Sequence, residues 1–379
     1  MTTNPPTTVT QLIDAALAGD LARAQSLVVS LDAAAIQDLA WGSSVLNIQA
    51  LATSMHSVSE LLIVWPREYW THFAEAPNTF PMLAACLLHN RIQHAIRGQT
   101  EAAQLAPIRS AISKHRLIFD WFSAPQALLC ADHLGLGRPK DLYGPSSTPG
   151  IRSREDFEQL IFPFIERQLA IDIDKKKAFK WRAALASVIY ELFENTELHG
   201  KTNVNGAPLS PSIRGIVFRE VPLQLYQPTN KLPPPRSRCI EIGVFDTGIG
   251  YFQKSQKTEL TQQTPLREEW TVLHACLSTH LEDLVDPSSD KGLHGIGLYE
   301  VLRALKFLSG AMEIRTGRLH GYRSFLPGDL PLQMESPASK DRPNMPKSTL
   351  LDYKARYLRR PSEHPQAPGS AVRILVPLL

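Results

Sequence analysis

The sequence predicts an α+β protein with a mainly helical N-terminal domain over residues 1–150 and a domain of helices and strands over residues 151–379. Apolar residues recur at helical spacing in the first part of the chain. A stretch rich in proline, glycine and serine follows at 137–150, and alternating apolar runs typical of strands come after it. A chain of 379 residues is also long for a single core, which favours two domains.

The N-terminal domain is predicted to be helical over residues 9–64 and 80–136. Leu12 and Ala16 lie one turn apart on one predicted helix face, and the same spacing resumes over residues 21–31. No repeat period is convincing enough to indicate a solenoid.

The second domain is predicted to begin with helices over residues 154–170 and 177–199. A further apolar-periodic helix is predicted from Leu298 to Leu308. Strands are predicted over residues 213–225, 239–245, 311–316, 321–326 and 371–378.

Composition excludes several classes of protein. The hydrophobic share is 43% and the charged share 20%, as in ordinary globular proteins. A net charge of +3 is nearly neutral and gives no reason to expect nucleic acid or a membrane surface as a partner. No apolar run approaches the roughly 20 residues that a membrane helix needs.

The cysteines indicate a reducing compartment. The chain has 4 cysteines and no C-x-x-C pair, which argues against a disulfide framework or a zinc site. Residues 1–8 are polar and contain proline, and they do not resemble a secretory signal. We therefore expect a cytoplasmic protein.

One predicted helix carries a stripe that changes from apolar to polar. Steps of three and four residues place Trp181, Val188, Glu191, Asn195 and His199 on one face. A buried carboxylate, amide and imidazole are costly unless they meet a ligand or a metal. The alternative is that the end of this helix simply emerges into water.

A carboxylate and two glycines follow the second predicted strand of this domain. The apolar run from Ile240 to Phe245 ends directly in Asp246, and Gly248 and Gly250 come next. A fixed acceptor at a strand end suits recognition of a ligand amine, and glycine lets the backbone approach a flat ring. Taken alone, this pattern is also a common turn.

A second glycine motif, Lys291-Gly-Leu-His-Gly295-Ile-Gly297-Leu298, opens the last predicted helix. Backbone N–H groups at the beginning of a helix form an anion site, and phosphate is its usual ligand. A Rossmann motif would directly follow an N-terminal strand, whereas a long loop precedes this one. A Walker A motif is excluded because no Lys-Ser/Thr follows the last glycine.

In this order, the three motifs resemble those of the GHKL superfamily, which includes gyrase, heat-shock-chaperone, mismatch-repair, histidine-kinase and anti-sigma-kinase ATPases. The resemblance covers roughly residues 155–379 and ends with Gly369-Ser370 before the last strand, where the family usually has Gly-Thr. It says nothing about residues 1–150. It implies a Bergerat fold, a two-layer α/β sandwich in which helices cover a mixed sheet.

The resemblance also implies roles for individual residues. Asn195 would ligate magnesium, and Glu191 would orient or deprotonate the attacking nucleophile. Asp246 would accept a hydrogen bond from the adenine amine, while Gly248 and Gly250 would let the backbone approach the base.

The remaining implied roles concern the phosphates and a lid. Gly295, Gly297 and Leu298 would present backbone amides to the phosphates of ATP, and the hydroxyl of Ser370 would join the site. Residues 251–291 would form a lid over the nucleotide.

Three functions are compatible with these motifs. We expect a magnesium-dependent slow ATPase that acts as a conformational switch, read by a protein partner or a homodimer. The alternatives are a protein kinase that transfers phosphate from ATP to a partner and a non-hydrolysing ATP sensor. The sequence leaves open whether His199 and Lys291 contact the nucleotide.

Overall fold

The structure is a computed structural model, and it describes residues 6–18, 20–21, 26–31, 49, 58–75, 88–99, 105–114, 126–135, 138–144, 150–168, 175–222, 238–277, 296–326, 350–353 and 361–378. Within these ranges the chain is a mixed α+β protein with eight helices. Its strands form a three-stranded sheet and a seven-stranded sheet. The predicted α+β class is confirmed.

The N-terminal part contains a small parallel sheet. Its strands pair in the order β1-β2-β3, and each neighbouring pair is parallel. The elements in chain order are α1 (Val9–Ala18), β1 (Ser26–Ser30), β2 (Glu60–Trp65), α2 (Arg67–Glu75), β3 (Ile92–Ile96) and α3 (Ala106–Lys114).

The prediction of a mainly helical N-terminal domain was therefore wrong for the residues that are described. All three of these strands begin or lie in stretches predicted to be helical, and so does β4 (Gln126–Ala131). In β1, Leu27 and Val29 are buried while Val28 is 59% exposed, which is the period of a strand. Apolar runs this short fit both periods, so the sequence pattern alone did not separate strand from helix.

The larger sheet has the strand order β4-β5-β6-β10-β7-β8-β9. Every neighbouring pair among these described strands is antiparallel, so the predicted mixed sheet was wrong. The strands after β4 are β5 (Ile213–Pro222), β6 (Arg238–Asp246), β7 (Ala311–Gly317), β8 (Leu319–Ser324), β9 (Leu351–Asp352) and β10 (Ala367–Pro377).

Helices cover one face of this sheet. Trp181, Leu273 and Val301 from three helices share a buried cluster with Ile242 and Ile374 of the sheet. The three longest predicted helices are confirmed to within two residues at each end. The helices are α4 (Arg154–Gln168), α5 (Lys175–His199), α6 (Gly250–Gln256), α7 (Leu266–Cys276) and α8 (Ile296–Phe307).

The opposite face of the sheet is covered at the β4–β5 end by the N-terminal part. Leu129, Val217 and Phe245 of the large sheet lie in one buried cluster with Val29 and Leu61 of the small sheet. The predicted two-layer sandwich thus has a third layer at this end. In addition, β4 pairs with β5 although it precedes the boundary predicted at 137–150.

No helix in the described ranges has both the length and the apolar character needed to cross a membrane.

Candidate functional site

The stripe on α5 is buried as far as Glu191, and Asn195 and His199 beyond it are partly buried. Trp181 and Val188 are at most 3% exposed, and Glu191, one turn further on, is only 8% exposed. The Nδ2 atom of Asn195 is buried and has no hydrogen-bond partner among the described residues. An unpaired buried amide costs about 1–3 kcal/mol, so this position favours a ligand. His199 follows as a half-buried residue at the end of the helix.

Asp246 is the last residue of β6, as predicted, and is 7% exposed. Its Oδ1 accepts the N–H of Gly248 at 2.8 Å, and its Oδ2 accepts the hydroxyl of Ser370, the opposite residue in β10, at 2.5 Å. Burial raises the pKa of Asp246 above its usual value, although these two hydrogen bonds act in the other direction. The backbone of Ser370 also hydrogen-bonds this carboxylate, so three of its roughly four acceptor sites are used and one is left for a ligand amine.

The end of α5 and the end of β6 touch through glycines. A Cβ on Gly248 would lie 2.7 Å from the Cα of Gly200, and a Cβ on Gly200 would lie 2.8 Å from the Cβ of Asp246. Only residues without side chains allow this approach. The first two sequence motifs are therefore in direct contact.

Gly250 begins α6 and also packs against the protein itself. A Cβ at this residue would lie 2.7 Å from Oγ1 of Thr316. That hydroxyl donates to the carbonyl of Gly369 at 3.0 Å and accepts the N–H of Tyr251 at 3.4 Å. The resemblance implied that Gly250 would lie beside the base. In this structure, the space beside Gly250 is filled by β7 and β10.

Thr316 is a site neighbour that the sequence analysis did not single out, whereas Gly369 belongs to the Gly-Ser pair that it named. Thr316 lies opposite Ser370 in the pairing of β7 with β10. Gly369 approaches Asp246 so closely that a Cβ would lie 2.1 Å from the Asp246 carbonyl oxygen. The Gly-Ser pair before the last strand was a signal for Gly369, whereas no local pattern indicates Thr316.

The third motif is described only in part. Gly297 and Leu298 lie in the first turn of α8, which begins at Ile296, and Leu298 is 3% exposed in the same cluster as α5. The first N–H groups of a helix have no partner within the helix, so they suit an anion. Lys291 and Gly295 lie outside the described residues.

Residues 251–291, the predicted lid, are also described only in part. Up to residue 277 they form α6 and α7, and Trp270 and Leu273 of α7 pack into the main core. The N–H of Arg318 donates to the carboxylate of Glu269 at 2.9 Å, which ties α7 to the β7–β8 turn. Residues 278–291 lie outside the described ranges.

A small apolar pocket lies beside Gly250. Tyr251, Phe252, Leu260 and Leu273 line it, together with Thr316. It adjoins the Asp246 contacts through Thr316, which is bonded to Gly369.

Glu191 forms an ion pair with Arg154, the first residue of α4. Burial raises the pKa of the Glu191 carboxyl; Arg154 acts against this rise, and the nearby carboxylates of Glu194 and Glu300 add to it. The sequence analysis missed Arg154 because an arginine at a helix start carries no spacing signal that links it to a residue 37 positions away.

A buried ion-pair network fixes the last turn of α5. Arg214 lies in β5, opposite Asp246 of β6, and is fully buried. It donates two hydrogen bonds of 3.0 Å to the carboxylate of Asp132. It also pairs with Glu197, which accepts the hydroxyl of Tyr143 at 2.8 Å. Burial alone would raise the pKa of Glu197, but Arg214, Lys201 and Tyr143 together outweigh it and hold that pKa below its usual value.

Comparison of the chain with protein-family models, with curated proteins and with solved structures finds no match. The function must therefore follow from the residues of the site and their contacts.

Proposed function

We propose that the chain binds ATP with magnesium where the end of α5, the end of β6 and the beginning of α8 come together, and that it hydrolyses ATP slowly as a conformational switch. The fold would then be a Bergerat-type ATPase domain with an added N-terminal layer. The observation that carries the proposal is the buried, unpaired amide of Asn195, one turn after Glu191 and close to the contact between Gly200 and Asp246.

Asn195 suits a magnesium ligand. Rotating its amide by 180° exchanges nitrogen and oxygen, so the same buried position can present an oxygen to a cation. Magnesium bound with a nucleotide usually takes only one or two protein ligands and completes its shell with phosphate oxygens and water. In the described part of the chain, no three His, Cys, Asp or Glu side chains are grouped as a metal site, and this proposal needs none.

Asp246 suits recognition of an amino group on the base. Ser370 and Gly248 fix the carboxylate, and its remaining lone pair would accept from an amine. A guanine base would present a carbonyl oxygen there, which a carboxylate repels. Adenine is therefore the expected base.

Glu191 suits the role of general base. It lies one helical turn before Asn195, so it is near the phosphate that the metal ligand would hold. When bound, magnesium neutralises charge on the phosphates and helps to position them for in-line attack. A carboxylate whose pKa is raised by burial accepts a proton from water more readily than an exposed one.

Binding is tested by isothermal titration calorimetry on the full chain with magnesium and a non-hydrolysable ATP analogue. Asp246→Asn mismatches a buried hydrogen bond worth about 1–3 kcal/mol, so affinity should fall roughly 5- to 150-fold. Asn195→Ala should abolish the magnesium dependence of binding. Asn90→Ala is the matched control, because the Asn90 amide is exposed and donates to Ser210 rather than to a residue assigned to the ligand. Wild-type affinity in both site variants would contradict the proposal.

Hydrolysis is tested with γ-labelled ATP. Glu191→Gln should keep nucleotide binding while the release of free phosphate falls about 10²-fold or more. Label transferred to a protein would instead identify a kinase, and binding without turnover in the wild type would identify a sensor. Equal loss of binding and of thermal stability in Glu191→Gln would make Glu191 a structural residue.

A further inference from the structure

The ion pair between Arg154 and Glu191 engages the residue that would have to act as a base. The guanidinium of Arg154 bonds Oε1 of Glu191, and its central carbon lies 5.6 Å from the centre of the Tyr190 ring. The Glu191 side chain is 10% exposed, whereas the Arg154 side chain is 48% exposed. The carboxylate is thus held in place by the fold, and the arginine is free to move on its solvent side.

The pair weakens Glu191 as a base for two reasons. The guanidinium occupies one carboxylate oxygen, and its positive charge lowers the proton affinity that burial raises. A Glu191 that activates water must therefore first lose this partner.

We propose that Arg154 breaks its ion pair with Glu191 and binds the terminal phosphate of the nucleotide instead. This inference rests on the proposed function. Arg154 contacts Glu191, and Glu191 lies one helical turn before Asn195, the position assigned to the metal and the phosphates. The planar, fork-shaped guanidinium of arginine can donate two parallel hydrogen bonds to a phosphate. A terminal phosphate also carries more negative charge than one carboxylate.

The exchange of partners gives the site a way to respond to the terminal phosphate. With ADP, Arg154 stays on Glu191 and the base remains blocked. With ATP, the arginine neutralises charge on the terminal phosphate, and the freed carboxylate accepts the proton of the attacking water as it adds to phosphorus and ADP leaves. The face of Tyr190 supports the guanidinium beside both positions.

The test compares affinities for the non-hydrolysable ATP analogue and for ADP, both measured by calorimetry on the full chain with magnesium. Arg154→Ala should reduce the preference for the analogue about tenfold or more and leave ADP affinity within about threefold of wild type. Arg154→Lys keeps the charge without the fork, so its preference should be intermediate. Glu191→Gln should increase the preference, since Arg154 no longer has to leave a charged partner.

Arg182→Ala is the matched control. Arg182 joins the same two helices through an ion pair of 2.7 Å with Glu158, about three and a half turns of α5 before Asn195. Because Arg182 is more buried and also packs over Phe162 and Phe179, Arg182→Ala should lose at least as much thermal stability as Arg154→Ala without changing the preference. An unchanged preference in Arg154→Ala, or a reduced one in Glu191→Gln, would overturn the role of Arg154. A wild type that binds neither nucleotide would instead overturn the proposed function.

Discussion

At the scale of single residues, the proposed site depends on a carboxylate that the fold keeps in a buried, unfavourable environment. Asp246 is buried at the end of β6, and burial is the largest influence on its pKa, which is raised. Ser370 and Gly248 reduce this penalty without removing it. A residue kept in an unfavourable environment is typical of a binding site, because a ligand can relieve the cost.

This carboxylate should lower stability as the pH rises. The folded protein keeps the Asp246 proton to higher pH than the unfolded chain does, so the contribution of Asp246 to the free energy of unfolding falls above about pH 4, the usual value for Asp. Asp246→Asn removes this titration. Chemical denaturation at several pH values should therefore show the variant gaining stability relative to wild type as the pH rises above about 4. A relative loss over that range would mean that the fold stabilises the charged carboxylate.

At the scale of elements, the end of α5 is fixed by charges rather than by apolar packing. Arg214 joins β5 to Asp132 after β4 and to Glu197 in the last turns of α5. Arg214 is fully buried, and removing its charge from water costs free energy. Among its described ion pairs, the carboxylates of Asp132 and Glu197 offset this cost. The network therefore sets where Asn195 lies relative to the strands.

Removing this cation should be strongly destabilising. Arg214→Met leaves Asp132 and Glu197 without their buried cation, with only the more exposed Arg138 and, for Glu197, Lys201 as partners, and breaking a buried ion pair costs about 3–5 kcal/mol. Urea denaturation should show this loss in the free energy of unfolding. Arg303→Met is the control, because Arg303 is 70% exposed in its pair with Glu300 and should contribute less than about 1 kcal/mol. A similar, small loss in the free energy of unfolding of both variants would show that the network does not stabilise the fold.

At the scale of the whole molecule, the two sheets share one core. Phe245, which precedes Asp246, is 1% exposed in the cluster that also contains Val29 and Leu61 of the parallel sheet. A nucleotide bound at Asp246 would thus be one residue away from the contact between the two parts. Through this contact, a change in structure at Asp246 would reach the N-terminal layer directly.

The shared core predicts cooperative unfolding. Differential scanning calorimetry of the full chain should show one transition, and Phe245→Ala should move it as a whole, because this change typically costs about 3–5 kcal/mol. Phe307→Ala, at the 52% exposed end of α8, should shift it little. Two transitions, of which Phe245→Ala moves only one, would show that the two parts fold independently.

The sequence by itself determined the elements with long periodic patterns and the residue types of the site. The stripe on α5, the strand that ends at Asp246 and the helix that follows Gly297 are all predicted by local spacing and confirmed in position. Local spacing is sufficient here because helices and long strands bury one face at their own period.

Only the tertiary structure decided the contacts between distant segments. The pairing of β10 with β6 and β7 brings Ser370 beside Asp246 and Thr316, and the packing of α4 on α5 brings Arg154 to Glu191. The short strands β1 to β4 likewise became recognisable only through their partners. Strand pairing and ion pairs join residues far apart in the chain, and a local pattern does not contain the identity of a distant partner.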